Sequence, residues 1–269
     1  MRIDERIAAR HRDLSPQERR AAATLLEHLD DLATYRAAEL ATLAGVSKAT
    51  MSRLFRSLGY ADFGEVREQL RETRHGGEPR LVAGGSDLPD HVDREGEAVR
   101  RAIEQASLPD AVALLVAARR VLVVGWRNSH PVALHLRQQL THLRSDVRLA
   151  PLPGQVVSEE LADLGSGDVV VAVGFRRRPA GFGAFVAEAR ATGADVLLIA
   201  DPTAIEHARL ATVWLECSVA TGLAFDSYAA AMSLVSALAD GALSAAGAPA
   251  QGRVSGITAA CARLSEIEA

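Results

Sequence analysis

The sequence is poor in cysteine and in aromatic residues, and each shortage excludes a class of protein. Only two cysteines, Cys217 and Cys261, occur among 269 residues, and two isolated thiols make neither a disulfide framework nor the spacing of a metal site. Aromatic residues make up 4% of the chain. The Ala, Leu and Val that dominate instead favour helices and buried parallel strands over a β-sandwich. We therefore expect a protein of a reducing, intracellular compartment, and nothing in the sequence calls for a metal or another cofactor.

Membrane and export segments are missing as well. No uninterrupted apolar run reaches about 18 residues, the length that a membrane-spanning helix needs. The first five residues, Met1 to Glu5, are charged and lack the apolar core of a secretory signal. These observations predict a cytoplasmic protein without a membrane partner.

The chain carries no overall excess of positive charge. Its formal net charge is −4 and its pI is about 6.1. Residues 1–77 hold 13 Lys/Arg and 12 Asp/Glu, a net of +1, whereas the remainder holds 17 and 22, a net of −5. Any affinity for nucleic acid must therefore come from the local placement of arginines, because bulk charge does not supply it.

Four blocks follow one another along the chain. Residues 1–77 have a helical pattern throughout, and residues 78–107 are predicted to form a linker and a connecting helix. The linker is indicated by turn-forming residues, namely Gly76, Gly77, Pro79, Gly84, Gly85, Ser86 and Pro89. Residues 108–248 alternate short apolar runs with helical stretches, and residues 249–269 are predicted to be a small, polar, partly disordered tail.

The alternating block is typical of a parallel sheet covered by helices. Strands are predicted at residues 121–124, 147–150, 169–173, 196–200 and 212–216. Helices are predicted at residues 132–143, 157–164, 182–192 and 204–210, and a long Ala/Leu-rich helix at about 225–245. The predicted fold class is thus α/β, with an all-helical N-terminal domain and a C-terminal, doubly wound, five-stranded parallel sheet.

Helix-start signals and a sharp turn mark the N-terminal domain. Ser15, Pro16 and Glu18 supply an N-cap, a proline at the first helical position and a capping box. Further along, Gly45 can take the positive φ of a sharp turn, and Ser47 can cap the helix that follows. The helices predicted on the two sides of this turn cover residues 37–44 and 48–58.

The helix after the turn has an apolar face and a polar face. Met51 and Leu54 are predicted to point inward beside Val46. The opposite face carries the short polar and cationic side chains that reach base edges and phosphates in the major groove, which are Ser47, Lys48, Ala49, Ser52, Arg53 and Arg56. Lys48 and Thr50 are alternatively placed against backbone phosphates. An ordinary helical hairpin is the competing interpretation, but the coincidence of turn, cap, buried pair and arginines favours a helix-turn-helix on double-stranded operator DNA.

This stretch resembles the DNA-binding domain of the RpiR family of bacterial regulators. That family typically shows the run V-S-x-x-T-V-S-R-F-x-x-x-L-G-F-x-G-F, and residues 46–63 match it closely, with Met51 and Leu54 as apolar replacements. The resemblance covers about 60 residues and includes Leu14-Ser15-Pro16 and Ala38-Glu39-Leu40-Ala41. It implies a final helix over about residues 63–74 and, for the second domain, a sugar isomerase (SIS) fold that binds an effector.

The first loop of a SIS domain usually has the form G-x-G-x-S before a helix. Gly125 and Ser129 match it, whereas Arg127 replaces the middle glycine, with Asn128 beside it. Ser129 and backbone amides at a helix N-terminus suit an incoming anion, and ligands bind where the carboxyl ends of parallel strands open. The resemblance therefore implies that these four residues bind the effector.

The second SIS motif, usually S-x-S-G-x-T after the third strand, is changed in this chain. Gly174 stands at the first serine, the hydroxyls are gone, and Arg176, Arg177 and Arg178 have come in. One interpretation is that the three arginines clamp a phosphate or a carboxylate by bidentate hydrogen bonds. The other is that they lie in a solvated loop or pair with acids such as Glu159-Glu160.

Other residues near these loops have ordinary explanations. His130 fits a helix N-terminus better than a catalytic base, and Trp126 is expected to pack rather than to stack on a sugar. Asp226 and Ser227 are explained as N-caps of the long helix. Glu159-Glu160 either rims the pocket or begins a solvated helix.

The sequence thus predicts a transcriptional regulator that is not an enzyme. Its partners are operator DNA, a small anionic effector (a sugar phosphate, a sugar acid or another carboxylate) and further copies of itself, since the resemblance implies dimers or tetramers through the SIS domain. Two alternatives stay open, a sugar-phosphate isomerase and a regulator whose SIS domain binds no ligand and only dimerises. The isomerase would need an acid–base residue that the sequence does not supply.

Overall fold

The computed structural model describes residues 3–28, 32, 35–76, 88–221 and 223–266. The chain divides into two compact units, Met1–Glu78 and Pro79–Ala269. Of the predicted linker, residues 77–87 lie outside the described residues, while Gly76 ends one helix and Pro89 lies in the first turn of the next.

Five α-helices form the described part of the first unit. They are α1 (Ile3–Arg10), α2 (Pro16–Glu27), α3 (Ala37–Leu43), α4 (Lys48–Ser57) and α5 (Phe63–Gly76). The predicted capping box at α2 is present: the Ser15 hydroxyl accepts from the Glu18 N–H, and the Glu18 carboxylate accepts from the Ser15 N–H. The core contains the apolar faces of these helices, including Ile7, Leu25 and Leu40.

The turn between α3 and α4 has the predicted geometry. Gly45 has a φ of +61°, in the left-handed region that favours glycine. Ala41 is buried where α3 packs against its neighbours, and its carbonyl accepts from the Val46 N–H, which closes the turn. The backbone therefore reverses within three residues, and α4 starts directly afterwards.

A five-stranded parallel sheet forms the centre of the second unit, with the strand order β2-β1-β3-β4-β5. The strands are β1 (Val121–Gly125), β2 (Val147–Ala150), β3 (Val169–Gly174), β4 (Asp195–Ala200) and β5 (Val213–Glu216). All five match the predicted strands within one residue at each end. The predicted α/β fold is confirmed.

Helices cover both faces of the sheet. They are α6 (Leu88–Ile103), α7 (Leu108–Ala117), α8 (Ser129–Leu143), α9 (Val157–Leu161), α10 (Phe182–Ala191), α11 (Ile205–Ala208), α12 (Ala229–Ala246) and α13 (Ala248–Leu264), with a 3-10 turn at Pro202–Ala204. Alternate residues of each central strand enter different cores: Val121 and Val123 pack with Leu234 of α12, whereas Leu122 and Val124 pack with Val186 of α10. Burial on both faces explains why these strands are continuous apolar runs.

Helix α12 is the central helix of one face. It meets the length and composition of a membrane-spanning helix, but seven of its residues are buried and it packs against α6, α7 and α8. Its close approach to α7 uses Gly241, where a Cβ would lie 2.8 Å from Val112 Cγ2. We therefore assign α12 to the core of the second unit.

Three expectations about helices need correction. The segment predicted to be a small, polar tail instead contains a helix, α13, over most of its length, and Arg253 of this helix donates to the Thr141 carbonyl of α8 at 2.8 Å. The long helix begins at Ala229 rather than near Phe225. The connecting helix is α6, which packs on α12 and so belongs to the second unit.

Candidate functional sites

Helix α4 is held by a buried face and by a cap at its start. Met51, Leu54 and Phe55 are buried in the core of the first unit. The Ser47 hydroxyl accepts from the Thr50 N–H at 3.1 Å and lies 2.9 Å from the Thr50 hydroxyl. These contacts fix the rotation of α4 and therefore decide which side chains face solvent.

The face of α4 opposite the core is exposed and cationic. Its exposed residues are Ser47, Lys48, Ala49, Ser52, Arg53 and Arg56, and we call this set the α4 face. Thr50, the remaining predicted DNA contact, is only 8% exposed. The Arg53 guanidinium donates to the Thr50 hydroxyl at 3.4 Å. Thr50 therefore helps to position Arg53 through this hydrogen bond, and the Thr50 side chain itself is not part of the α4 face.

The carboxyl end of α4 is fastened by two arginines of α1. Arg6 donates to the carbonyls of Leu58 and Gly59 at 3.1 and 2.9 Å, and Arg10 donates to the carbonyl of Ser57. Cations at a helix C-terminus are favourable because its last carbonyls lack partners within the helix. This contact leaves no signal in the sequence, since the two partners lie about fifty residues apart along the chain.

Glu18 of α2 makes a further bond to the end of α4. Its carboxylate accepts from the Ser57 hydroxyl at 2.9 Å. The hydrogen bonds from Ser15, with those from Ser57 and the charge of Arg53, lower the pKa of Glu18. The capping residue of one helix thus also anchors the helix that carries the α4 face.

In the second unit, the loop after β1 is built around close backbone contacts. A Cβ on Gly125 would lie 2.8 Å from the Ser129 carbonyl oxygen and 2.9 Å from Ala133 Cβ, so this position requires glycine. Arg127 has a φ of +53°, a left-handed conformation that is uncommon for residues other than glycine. The loop therefore holds an exposed arginine in a left-handed conformation at the position of the motif's middle glycine.

Ser129 joins the loop after β1 to the loop after β3. Its hydroxyl is buried and accepts from the Phe175 N–H at 3.1 Å. His130 packs back on the same loop, with its Nδ1 atom 3.1 Å from the Gly125 carbonyl oxygen. Arg127 and Asn128 are exposed beside them. The four predicted residues of this loop therefore lie together at the carboxyl edge of the sheet.

Aromatic packing explains two residues beside these loops. Trp126 lies edge-on to Phe182 and Phe185, with ring centroids 6.0 and 5.0 Å apart, as the packing interpretation expects. Gly174 leaves room for the same cluster, because a Cβ there would lie 2.2 Å from Phe182 Cζ. Gly174 thus has a structural role at the end of β3.

Two of the three arginines after β3, Arg176 and Arg178, are paired with carboxylates of the same chain. Arg178 donates to Asp201 at 2.7 Å, to Thr203 Oγ1 at 2.6 Å and to the Gly174 carbonyl at 2.9 Å. Arg176 donates to Asp226 at 3.0 Å, and its Nε atom lies 4.0 Å from Asp201. Exposed fractions are 12% for Arg176, 7% for Arg178, 3% for Asp201 and 16% for Asp226. The four side chains form a largely buried row of alternating charge, which we call the charge row.

The charge row corrects two expectations from the sequence. The acids that pair with the arginines are Asp201 and Asp226, whereas Glu160 lies 3.6 Å from Arg148 and accepts from Gln155. Asp226 does not cap the long helix, because its carboxylate accepts from Arg176, whereas the Ser227 hydroxyl accepts from the N–H of Ala229, the first residue of α12, at 3.4 Å. The position of Asp201, directly after β4 at the carboxyl edge of the sheet, is the sequence signal that could have found it.

Tyr228 and His207 complete the described polar groups around this edge. The Tyr228 ring lies edge-on to Phe175, with ring centroids 5.5 Å apart. Burial raises the pKa of Tyr228 to about 12. Burial, helped by the charge of Arg178, lowers the pKa of His207. Within the described ranges, no three His, Cys, Asp or Glu side chains cluster closely enough to hold a metal ion.

Two family models match the chain. One, described as a helix-turn-helix domain of the rpiR family, matches residues 1–75, and the other, described as a SIS domain, matches residues 114–240. The first contains the whole α4 face, and the second contains β1 to β5 with the charge row.

The chain is also similar to a curated relative and to solved structures. The HTH-type transcriptional regulator HexR of Pseudomonas aeruginosa is 24% identical over 204 residues, covering 72% of this chain and 71% of HexR. The Vibrio vulnificus NanR protein complexed with ManNAc-6P has a TM-score of 0.61 and 19% identity, covering 97% of this chain and 98% of NanR. The sugar isomerase domain of an RpiR transcription factor from Sphaerobacter thermophilus has a TM-score of 0.58 and 20% identity, covering 64% of this chain and 98% of that structure. At these identities the two structures establish the fold.

Proposed function

Because this chain belongs to the RpiR family of regulators, with an rpiR-family helix-turn-helix domain followed by a SIS domain, we propose that it regulates transcription by binding operator DNA. In this proposal its second unit senses a small anionic metabolite. The protein acts in the cytoplasm as a homo-oligomer, so that two helix-turn-helix domains can bind paired half-sites.

The observation that carries the proposal is the α4 face. A helix that follows a tight turn presents short polar side chains at its start and two arginines further along, on a rotation fixed by buried Met51, Leu54 and Phe55. Short side chains allow the backbone to approach the major groove, and arginine can donate two hydrogen bonds to guanine or to a phosphate. We assign Ser52 and Arg53 to base edges and Lys48 and Arg56 to phosphates.

The effector is proposed to bind at the carboxyl edge of the sheet, beside Arg127, Asn128 and Arg177. Parallel α/β sheets bind their ligands at this edge. The charge row supplies Arg176 as a further cation for a phosphate or a carboxylate. Because the structurally similar NanR is complexed with ManNAc-6P, phosphosugars are the first class to test, followed by sugar acids.

We propose that the second unit performs no catalysis. Among the described side chains at the sheet edge, the serine hydroxyl accepts a backbone hydrogen bond and His130 faces the Gly125 carbonyl. Arg176 and Arg178 are occupied by carboxylates. An isomerase needs an acid–base group poised over the substrate, and this arrangement favours a binding role.

The test is binding of the full chain to the DNA upstream of its own gene. Fluorescence anisotropy is measured against that DNA and against a scrambled duplex of equal length, with and without phosphosugars and sugar acids. The proposal expects specific binding that one compound changes, together with no turnover of that compound. Equal affinity for both duplexes would contradict the regulator, and turnover would establish the isomerase alternative.

A further inference from the structure

Asp226 already holds a group that an anionic effector would need. Its carboxylate accepts from Arg176 Nη1 at 3.0 Å, and both side chains are mostly buried. Asp201 keeps Arg178 by shorter bonds and lies 4.0 Å from Arg176 Nε. Of the two aspartates, Asp226 is thus the more exposed, and its loss would leave Arg176 with Asp201 still nearby.

The segment that carries Asp226 is irregular and folds back on itself. It connects β5 to α12, and within it the Ser227 N–H donates to the Val219 carbonyl at 3.1 Å, while the Thr221 hydroxyl donates to the Phe225 carbonyl at 2.8 Å. Phe225 is 70% exposed although it adjoins Asp226. The Arg176–Asp226 ion pair therefore joins this partly exposed loop to the segment after β3.

The same loop leads directly into the central helix of the unit. Tyr228, two residues after Asp226, packs edge-on against Phe175, and α12 starts at the next residue. Helix α12 packs against α6, whose first residue follows the segment that joins the two units. Asp226 thus lies three residues before α12, and α12 packs directly on α6.

We propose that Asp226 is a built-in competitor for the effector: the acid group of the effector replaces the Asp226 carboxylate on Arg176, and the loop before α12 is released. This inference rests on the proposed function and adds a mechanism to it. A phosphate has more negative charge and more acceptor oxygens than a carboxylate, so it can displace one from an arginine. A neutral sugar has no group that replaces the carboxylate, so the exchange selects anionic ligands.

The competition lowers the apparent affinity for anions by a predictable factor. If the Arg176–Asp226 pair is closed in about nine of ten molecules, only about a tenth of the sites is open, and removal of the competitor raises apparent affinity about ten-fold. Asp226→Asn removes the charge at nearly constant shape. Glu206→Gln is the matched control, because Glu206 is an exposed carboxylate that also pairs with an arginine, Arg209.

The first measurement uses inorganic phosphate as the probe on the full chain. The melting temperature is followed against phosphate concentration, with chloride adjusted to keep the ionic strength constant. We expect Asp226→Asn to reach half of its shift at about a tenth of the wild-type phosphate concentration, while Glu206→Gln behaves as wild type. Equal half-saturation in wild type and Asp226→Asn would overturn the proposal.

The second measurement reports release of the loop even where Asp226→Asn changes stability. Phe225 is an exposed chymotrypsin target, so limited proteolysis followed by mass spectrometry gives the rate of cleavage after it. We expect phosphate to speed this cleavage in wild type, and Asp226→Asn to be cut quickly without phosphate. Cleavage that is slow in the variant and unaffected by phosphate in wild type would contradict loop release. Specific DNA binding is measured separately, so the regulator can stand when the competitor fails.

Discussion

The arginines of the two units occupy opposite environments. On α4, Arg53 and Arg56 are exposed on one side of a helix whose other side is buried. After β3, Arg176 and Arg178 are nearly buried and bonded to Asp226 and to Asp201. Exposed arginines remain available to a large polyanion, whereas buried ones need their carboxylate partners, because an unpaired buried charge is strongly destabilising. The same residue type, arginine, therefore suits different functions in the two units, depending on its burial and its partners.

The largest expected effect comes from removing the carboxylate at the centre of the charge row. Asp201→Ala removes the carboxylate that pairs with Arg178 and lies near Arg176, and both arginines remain largely buried. The free energy of unfolding should therefore fall by about 3–5 kcal/mol. Chemical denaturation measures it, with Asp240→Asn on the exposed side of α12 as a control expected within about 0.5 kcal/mol of wild type. An unchanged Asp201→Ala would mean that the charge row does not hold the second unit together.

Substitution of either of two glycines by alanine should lower the free energy of unfolding by less than Asp201→Ala does, and the physical cause differs between the two. Gly174→Ala drives a Cβ into the Phe182 ring, and such overpacking costs about 1–3 kcal/mol. Gly45→Ala meets no atom within 4 Å but must keep a φ of +61°, which costs about 1–2 kcal/mol. Adding Phe182→Leu should restore part of the loss in Gly174→Ala. If it restores nothing, contact with this ring is not the cause.

The exposed arginines should affect DNA binding and leave stability alone. Arg53→Ala is expected to weaken specific binding by about 1–3 kcal/mol, with the free energy of unfolding within about 0.5 kcal/mol of wild type. Arg12→Ala, an exposed arginine outside α4, is the control for general loss of charge. Binding at wild-type strength in Arg53→Ala would reject the α4 face as the recognition surface.

The smallest effect is a pH dependence that differs between the units. The pKa of Asp168 is lowered chiefly by hydrogen bonds from Arg119, and the pKa of Glu18 by those from Ser15. A lowered pKa means that stabilisation is complete above the ordinary values, 3.8 for Asp168 and 4.5 for Glu18, and is lost as the pH falls through the folded-state pKa.

We therefore expect the free energy of unfolding to fall on acidification below these values. Asp168→Asn should flatten that decline more than Glu18→Gln, because the Asp168 side chain is fully buried and also accepts from the Gly165 N–H. Denaturation at a series of pH values tests this. A steeper contribution from Glu18 would reverse the comparison.

Most of the fold can be predicted from local sequence patterns, whereas pairings between distant residues cannot. The capping box at Ser15, the turn at Gly45 and the apolar strands depend on neighbouring residues, so their chemistry is legible in the sequence. The bonds Arg176–Asp226 and Arg10–Ser57 join residues 50 and 47 positions apart, and only the folded chain brings them together. Helix α13 was missed because its small residues give no clear apolar stripe; packing against α8 supplies the missing stabilisation.

The most direct test compares wild type, Arg53→Ala and Arg176→Gln in one DNA-binding experiment. Each protein is titrated against its upstream DNA with and without the phosphosugar or sugar acid that acts most strongly on wild type. We expect that Arg53→Ala loses DNA affinity but keeps its melting-temperature shift with that compound, whereas Arg176→Gln binds DNA but no longer responds to the compound. If both variants lose DNA binding and the response together, or neither changes, the assignment of DNA recognition and effector sensing to separate arginines is contradicted.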